Sequence, residues 1–170
     1  MKQSYPQTND LTYEQAHTLF TYKDGHLYWK VDRRNCSRGS LAGSREPKGY
    51  WRIGYEGKSY KAHRVIWVMH GNHPVPVLDH IDGDRLNNKI ENLRAASFGE
   101  NNLNSKLQKR NTYGVKGLRW FAGRNKWIGV IRHKGKQYYT KGFSNEDKDE
   151  CIRALKALRE FLHGDFARHN

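Results

Sequence analysis

The chain has 170 residues, of which 36% are hydrophobic and 12% aromatic, and its formal net charge is +14. The length fits one ordinary domain or two small ones, and the aromatic content indicates folded but thin cores. A surface this basic favours nucleic acid as the partner, while no apolar run approaches the roughly 18 residues that would cross a bilayer, so we expect no membrane association.

The N-terminal segment, Met1–Asp10, is polar and lacks the apolar core of a signal peptide. We therefore expect the chain to stay in the cytoplasm where it is made and not to be secreted. Cys36 and Cys151 lie far apart and match neither a zinc spacing nor a disulfide framework. Both are interpreted as incidental.

The first half of the chain predicts short elements. Residues 11–20 have the apolar spacing of a short amphipathic helix. Alternating runs predict strands at 26–30, 50–55 and 59–62, with a hairpin turn at Glu56-Gly57-Lys58 between the last two. Residues 63–70 are apolar enough for a buried helix, which Pro74 and Pro76 end.

The middle of the chain predicts two strands followed by a helix. Residues 77–81 and 92–96 are the strands, and Asp82-Gly83-Asp84 is interpreted as an ordinary turn. Ser97 and Glu100 have capping-box spacing, so a helix should begin at about residue 98. Residues 105–112 are polar and basic and are interpreted as a linker.

The C-terminal part predicts three strands and a helix. The strands are 115–121, 126–133 and 137–142, and Trp127 is expected to pack in the core. Ser144 is predicted as the N-cap of the helix, and Gly164 as its C-terminal stop. An apolar stripe between them should pack on one face of the sheet.

Charge is unevenly distributed along the chain. Residues 79–105 hold five acidic and three basic side chains, whereas the segments 1–78 and 116–170 carry balances of +6 and +7. Carboxylates in a DNA-facing protein repel phosphate unless a cation bridges them. The acidic segment therefore favours a metal site, although an acidic surface loop explains the charge equally well.

Four polar residues of this segment can converge. Asp79 and His80 end one predicted strand, Asn92 begins the next, and Asn101 lies one turn inside the following helix. A helix packed across a two-stranded ribbon can direct Asn101 back at Asp79 and His80. This arrangement would bring a carboxylate oxygen, an amide oxygen and an imidazole to one point.

Several short pieces of this region together resemble the HNH family, also called ββα-metal nucleases, and most closely its phage and intron-encoded homing branch. They are Ala62–Arg64 (AHR), Asp79–Asp84 (DHIDGD), Leu86–Asn88 (LNN), Glu91–Arg94 (ENLR) and Glu100–Asn102 (ENN). The match covers about a quarter of the chain, or nearly half with the β-rich N-terminal flank. The combination is specific, although each piece alone is weak.

The resemblance implies a role for each residue. His80 would be the general base that deprotonates water, and Asp79 and Asn101 would hold one divalent cation. Asn92 would brace the loop and orient His80. Asn101 stands where some members carry a last histidine, and an oxygen pair without imidazole or thiolate favours Mg²⁺, or Mn²⁺, over Zn²⁺.

Three further histidines lie near the motif. His63, His70 and His73 are isolated and have apolar neighbours, so a structural or surface role is the default. His63 together with Arg64 is nevertheless a candidate contact to a DNA phosphate near the site.

Residues 113–167 resemble an AP2 DNA-binding domain through Tyr113–Trp120, Lys126–Arg132, Lys141–Phe143 and His163–Ala167. The free face of the predicted sheet would enter a major groove, and its alternative is a solvated basic face without specificity. The strand-connecting loops depart from the family, so no sequence preference carries over. Val130 would share this face, and the candidate DNA-binding residues of the face and its flanking turn are Lys116, Arg119, Phe121, Arg124, Lys126, Arg132, Tyr138 and Thr140.

Together these patterns predict an α+β fold: a small ββα-metal nuclease unit with a β-rich N-terminal flank, plus a C-terminal three-stranded antiparallel sheet packed on one helix. The predicted boundaries are a flank at 1–75, the HNH core at 76–106, a basic linker at 107–112 and the AP2-like domain at 113–170.

Three functional hypotheses remain. The first is a sequence-directed homing endonuclease acting on double-stranded DNA, as a monomer or a dimer, in a bacterial host cell if the gene belongs to a phage. The second is a DNA-binding regulator with an inactive HNH site. The third is a general nicking nuclease whose C-terminal part only adds charge.

Overall fold

The structure is a computed structural model, and it describes residues 10–104, 107 and 111–169. The chain divides into two compact units, Met1–Ser97 and Phe98–Asn170. The described residues form a mixed α/β protein with several small antiparallel sheets and four α-helices. The predicted linker at 107–112 includes residues 108–110, which lie outside the described ones, so its boundaries stay a prediction.

The first unit begins with a helix and a hairpin. Helix α1, Tyr13–Leu19, starts with a capping box in which Thr12 and Gln15 exchange hydrogen bonds of 3.2 and 3.0 Å. The helix ends before Phe20, which starts strand β1, Phe20–Lys23, paired with β2, His26–Trp29. Asp24 and Gly25 both have positive φ angles, as a tight hairpin turn requires. Strand β1 was not predicted.

A three-stranded sheet follows, and it confirms the predicted hairpin. Its strands are β3, Ser44–Arg45, β4, Trp51–Tyr55, and β5, Lys58–Lys61, in that order. The turn between β4 and β5 uses Glu56 and Gly57 at positive φ. Helix α2, Ala62–Met69, begins directly after β5, close to the predicted 63–70.

The motif segment forms a two-stranded ribbon. Strand β6, Val77–His80, pairs with β7, Leu93–Ala96, so that Asp79 faces Arg94 and His80 faces Leu93. A short 3₁₀ turn, Ile90–Asn92, leads into β7. Asn92 was predicted to be the first residue of this strand, but it is the last residue before it.

One core holds the whole first unit together. Leu93 of the ribbon belongs to the same buried cluster as Phe20, Ile53 and Ile66, and Leu78 and Ile90 pack against it. The predicted flank and the ribbon thus share their hydrophobic packing. The flank is the scaffold on which the ribbon is fixed, because burial of these side chains is what stabilises a unit of this size.

The second unit is a sheet covered by one helix. Helix α3, Phe98–Leu103, comes first, close to the predicted start. The sheet has the order β10–β9–β8, with β8 at Leu118–Phe121, β9 at Lys126–His133 and β10 at Lys136–Tyr139. Trp127 is buried in its core, as predicted.

Helix α4, Lys148–His163, packs on β9. Gly129 permits this approach, because a Cβ there would lie 2.8 Å from a methyl group of Leu155. The helix begins four residues after the predicted N-cap Ser144, whose hydroxyl instead accepts a hydrogen bond from Asp147 N and donates one to its carboxylate. The prediction for Ser144 is therefore wrong, whereas the stop at Gly164 is confirmed by its φ of 52°.

Within the part of the chain that the structure describes, every helix is too short or too polar to reach across a bilayer.

Candidate functional site

Asp79 and His80 lie side by side at the end of β6, and both are buried, with 6% and 4% of their surfaces exposed. Arg94, directly opposite on β7, donates from Nε at 3.0 Å and from Nη2 at 2.9 Å to Oδ2 of Asp79. Both bonds fall on the same oxygen, so this salt bridge fixes the carboxylate through one edge. The strand pairing itself sets the orientation of both groups.

Asn88 holds the imidazole of His80. Nε2 of His80 lies 3.0 Å from Oδ1 of Asn88, whose side chain is fully buried. An amide oxygen can only accept a hydrogen bond, so Nε2 carries the proton and the neutral ring has its lone pair on Nδ1. Sequence reasoning missed Asn88, although it is the last residue of the quoted LNN piece.

Asn92 braces the turn that follows β6. Its Nδ2 donates to Oδ1 of Asp82 at 3.0 Å and to the carbonyl of Asn87 at 2.8 Å, and its Oδ1 accepts from the backbone of Asp82 at 3.1 Å. These bonds match the predicted brace. The second half of that prediction, an orienting bond to His80, is supplied in the structure by Asn88.

Asp82 and Asp84 organise the turn itself. Asp82 accepts from Asp84 N at 2.8 Å and from Asn87 Nδ2 at 2.7 Å, and Asp84 accepts from Leu86 N at 3.0 Å. Burial alone would raise the pKa of Asp82, but hydrogen bonds from Asn87, Asp84 and Asn92 outweigh it and hold the pKa below its ordinary value. The contacts agree with the predicted turn.

His63 and Arg64 both point into the first unit. His63 is 3% exposed, and its ring centre lies 4.9 Å from that of His80 in an edge-on contact. Burial, followed by the charges of His80, Lys61 and Arg64, lowers its pKa to about 2, so the ring is neutral at pH 7.

Arg64 forms a two-bond salt bridge with Asp10, at 2.8 and 2.7 Å, and also donates to the carbonyl of Val75. Both side chains are thus engaged within the protein, and their predicted contact with a DNA phosphate stays a prediction.

Asn101 is an exposed residue of α3, which belongs to the second unit. Its convergence with Asp79 stays a prediction. Over the described ranges, no group of three or more His, Cys, Asp or Glu side chains is clustered in a way that could hold a metal ion. The predicted ligands are only one carboxylate and one amide, so they do not form a group of this kind.

The second unit presents an open sheet face opposite α4. Buried Trp127 and Ile131 alternate along β9 with more exposed residues, which therefore point away from the helix. Paired residues share a face, so the register defines the rest of this open face. It contains Arg119, Phe121, Lys126, Ile128, Val130, Arg132, Gln137 and Tyr139.

Two predicted members of this face are misplaced. Tyr138 pairs with Ile131 and so lies on the helix side, and its neighbour Tyr139 takes the open position at 60% exposure. Lys116 precedes β8, and its Nζ donates to the carbonyl of Leu103 at 2.9 Å. Burial lowers the pKa of this amine, with the charges of Arg159 and Arg168 acting in the same direction.

Thr140 and Arg124 lie outside the strands. The Thr140 side chain is on the helix side, because its hydroxyl accepts from Gly129 N at 2.9 Å and lies 3.8 Å from Sγ of Cys151 on α4. It is a third misplaced member of the predicted face. The guanidinium of Arg124 lies 5.6 Å from the ring centre of Phe121. Contact of these residues with DNA stays a prediction.

The ribbon and its surroundings match a known family. Residues 60–103 match the model of the HNH endonuclease family, and this stretch includes β6, β7 and all their connecting turns. The protein thus contains an HNH endonuclease domain, which is the domain of a nuclease.

Two viral relatives extend the comparison. The chain is 40% identical over 114 residues to "Protein 3.8" of Escherichia phage T7, covering 65% of this chain and 91% of that protein. It is 30% identical over 126 residues to "Uncharacterized HNH endonuclease L560" of Acanthamoeba polyphaga mimivirus, covering 72% of this chain and 64% of that protein. The chain therefore belongs to the same family as the phage protein. No solved structure matches it.

Proposed function

We propose that the protein is a metal-dependent endonuclease that hydrolyses phosphodiester bonds of double-stranded DNA at a sequence-directed site, as a homing enzyme of phage type. The observation that carries the proposal is the buried pair Asp79–His80, in which a separate partner fixes each side chain. A carboxylate and an imidazole on consecutive residues, each held by its own partner, would supply a metal ligand and a base at the end of one strand.

His80 is the general base in this proposal. Because Nε2 is engaged with Asn88, the proton of the attacking water goes to Nδ1. An imidazole can take a proton near neutral pH, and such positioned proton transfer contributes typically 10²–10⁴-fold to a rate. Asn92 bonds to Asp82 and Asn87 and so braces the turn between His80 and Asn88.

Asp79 and Asn101 would hold the divalent cation. Two bonds from Arg94 to Oδ2 hold the Asp79 carboxylate in a fixed orientation. Carboxylate and amide oxygens favour a hard ion, so Mg²⁺ or Mn²⁺ fits the donor set. When bound, such an ion supplies positive charge that stabilises the transition state and the leaving 3′ oxygen.

The second unit would hold the DNA. Its open face combines Arg119, Lys126 and Arg132 with the aromatic ring of Tyr139, and one face of a small sheet can enter a major groove. This arrangement is similar to the AP2 mode of binding predicted from the sequence.

Cleavage of supercoiled plasmid in MgCl₂ tests the nuclease. The native protein should relax or linearise the plasmid, and EDTA should abolish the reaction. His80→Ala should lower the rate by roughly 10²-fold or more because the base is lost. His26→Ala is the matched control, since His26 is an exposed histidine of the same unit, and it should cleave like the native protein.

The competing function is a DNA-binding regulator with an inactive site. Plasmid left intact by a native protein that still binds DNA in gel shifts would favour that alternative. Equal cleavage by His80→Ala and the native protein would overturn the assignment of the base.

A further inference from the structure

Two cationic side chains lie over the ring of Tyr50. The Nζ of Lys61 lies 4.4 Å from the ring centre, and the guanidinium carbon of Arg85 lies 4.8 Å from it. Both distances are within the range of cation–π attraction. Three separate chain segments meet here, since Tyr50 precedes β4, Lys61 ends β5 and Arg85 follows the turn after β6.

This cluster lies against the proposed active site. The ring of Tyr50 is centred 6.3 Å from that of His80 and 5.4 Å from that of His63. Arg85 also donates to the carbonyl of Lys48 at 3.0 Å, which ties the loop after His80 to the loop before β4. The two cations therefore lie against a ring that is itself next to the imidazole.

The positive charge of this cluster is not neutralised by an ion pair. Neighbouring arginines are paired: Arg64 with Asp10, Arg94 with Asp79 and Arg52 with Glu46. Over the described residues, neither Lys61 nor Arg85 makes an ion pair within 4.0 Å. Glu46 attracts Lys61 only at longer range and is engaged with Arg52 at 3.1 Å.

An aromatic ring orients a cation and leaves its charge available, whereas a carboxylate cancels that charge. Both Lys61 and Arg85 are exposed, while Tyr50 is half-buried. An anion can therefore approach each cation from solvent. This combination is what a site for a phosphate group requires.

We propose that Tyr50, Lys61 and Arg85 form a binding site for a backbone phosphate of DNA and seat the strand next to His80. This site rests on the proposed function, because that function makes DNA the substrate. Lys61 and Arg85 contact the phosphate, and Tyr50 is a positioning residue that keeps them in place.

The salt dependence of DNA binding tests the site. The full chain is titrated into a fluorescein-labelled duplex of about 30 base pairs in EDTA, over a series of NaCl concentrations. The variant Lys61→Gln/Arg85→Gln should bind roughly tenfold more weakly, and its log K against log[salt] slope should shrink by about 1, because one phosphate contact contributes about 0.9.

A matched control separates a contact from general charge. Lys23→Gln/Lys58→Gln also removes two exposed lysine charges from the first unit, and its slope should stay within about 0.5 of the native value. A second variant, Tyr50→Leu, keeps every charge but removes the aromatic ring that orients Lys61 and Arg85. It should lose part of the slope too, with circular dichroism confirming that each variant is folded.

Equal slopes for the Lys61/Arg85 variant and the control variant would overturn the proposed phosphate site, as would a Tyr50→Leu variant with native binding. These outcomes are independent of cleavage, because the titration contains no divalent ion. If substitution of Lys61 and Arg85 reduces the salt slope but the native protein never cuts plasmid, the nuclease proposal is wrong and the phosphate site is still supported.

Discussion

The hydrogen bond from His80 to Asn88 determines which ring nitrogen carries the proton. With Oδ1 as the acceptor, Nε2 must hold the proton and Nδ1 must be the basic atom. Partners of this kind typically contribute one to two orders of magnitude when they orient a functional histidine.

Asn88→Ala should therefore lower the single-turnover cleavage rate roughly 10- to 100-fold and leave duplex affinity unchanged, since both tautomers become accessible. Asn88→Asp retains an acceptor for Nε2–H and adds a negative charge, so it should cleave faster than Asn88→Ala. Its acidic rate limb should also move to higher pH, because a carboxylate favours the protonated ring. Equal rates and pH profiles for both variants would contradict the tautomer assignment.

His63 gives the first unit a pH-dependent stability. Its pKa of about 2 in the folded protein lies below the ordinary 6.5, so protons bind preferentially to the unfolded chain. The stabilising effect is complete above pH 6.5 and is lost as the pH falls towards 2. At pH 5 the loss is about 2 kcal/mol, at 1.36 kcal/mol per pH unit.

His63→Phe should remove this loss, because phenylalanine has no ionisable group and keeps a ring beside His80. Urea unfolding at pH 7.5 and pH 5 measures the effect. The free energy of unfolding should fall between these pH values by about 2 kcal/mol less in the variant than in the native protein. If the free energy of unfolding falls by the same amount in the variant and the native protein, His63 does not stay neutral in the folded unit.

The sequence was enough to predict that Asp79 and His80 end a strand, because their motif is local and the strand is short. The role of Asn88 could not be predicted, since the turn of 82–87 had to close before its amide reached Nε2. Tyr138 was misplaced for a related reason. The strand was predicted at 137–142, whereas β10 is Lys136–Tyr139, and the predicted face was out of register by one residue, which reverses the face in a strand.

At the level of elements, the contact of α4 with the sheet depends on Gly129, which has no side chain. A Cβ on Gly129 would lie 2.8 Å from Leu155 and 2.9 Å from Thr140, both inside normal contact distance. Because Leu155 is fully buried, its side chain cannot move into solvent. The helix would have to shift away from β9.

Gly129→Ala should thus destabilise the second unit by about 1–3 kcal/mol through overpacking. Gly123→Ala is the matched control: Gly123 has a negative φ and nothing within 4 Å of the added Cβ. Denaturant unfolding followed by circular dichroism compares the two. A Gly129→Ala variant as stable as the Gly123→Ala control would refute the tight contact.

Most elements were predictable because their ends carry local signals. The β4–β5 hairpin has a Glu-Gly turn, and α1 has its capping pair. Strand β1 was missed because its residues continue the apolar pattern of α1, and only the pairing with β2 separates them. The start of α4 was misjudged because Ser144 caps a turn before the helix.

At the level of the whole molecule, the two units would divide the work between cutting and holding. Lys126→Gln/Arg132→Gln removes two charges from the open face of the second unit. It should weaken duplex binding roughly tenfold and reduce the salt slope by about 1 to 2. Cleavage at saturating protein should persist, because the proposed base lies in the first unit.

Arg153→Gln/Lys156→Gln provides the control, since these exposed residues of α4 lie on the other side of the same unit. It removes the same charge but should leave binding near the native value. If both variants weaken binding equally, the unit contributes only general charge. The sequence predicted the basic character of this unit, whereas its exact face needed the strand register.

The shared core of the first unit also limits how this protein can be rearranged. Leu93 packs with residues of the first hairpin and of α2, so the ribbon has no independent interior. A gene fragment encoding only the motif would yield a chain with its apolar side exposed and no fixed imidazole. The smallest piece that recombination or protein engineering could transfer between proteins must therefore include the residues from α1 onwards, well beyond the signature by which the family is recognised.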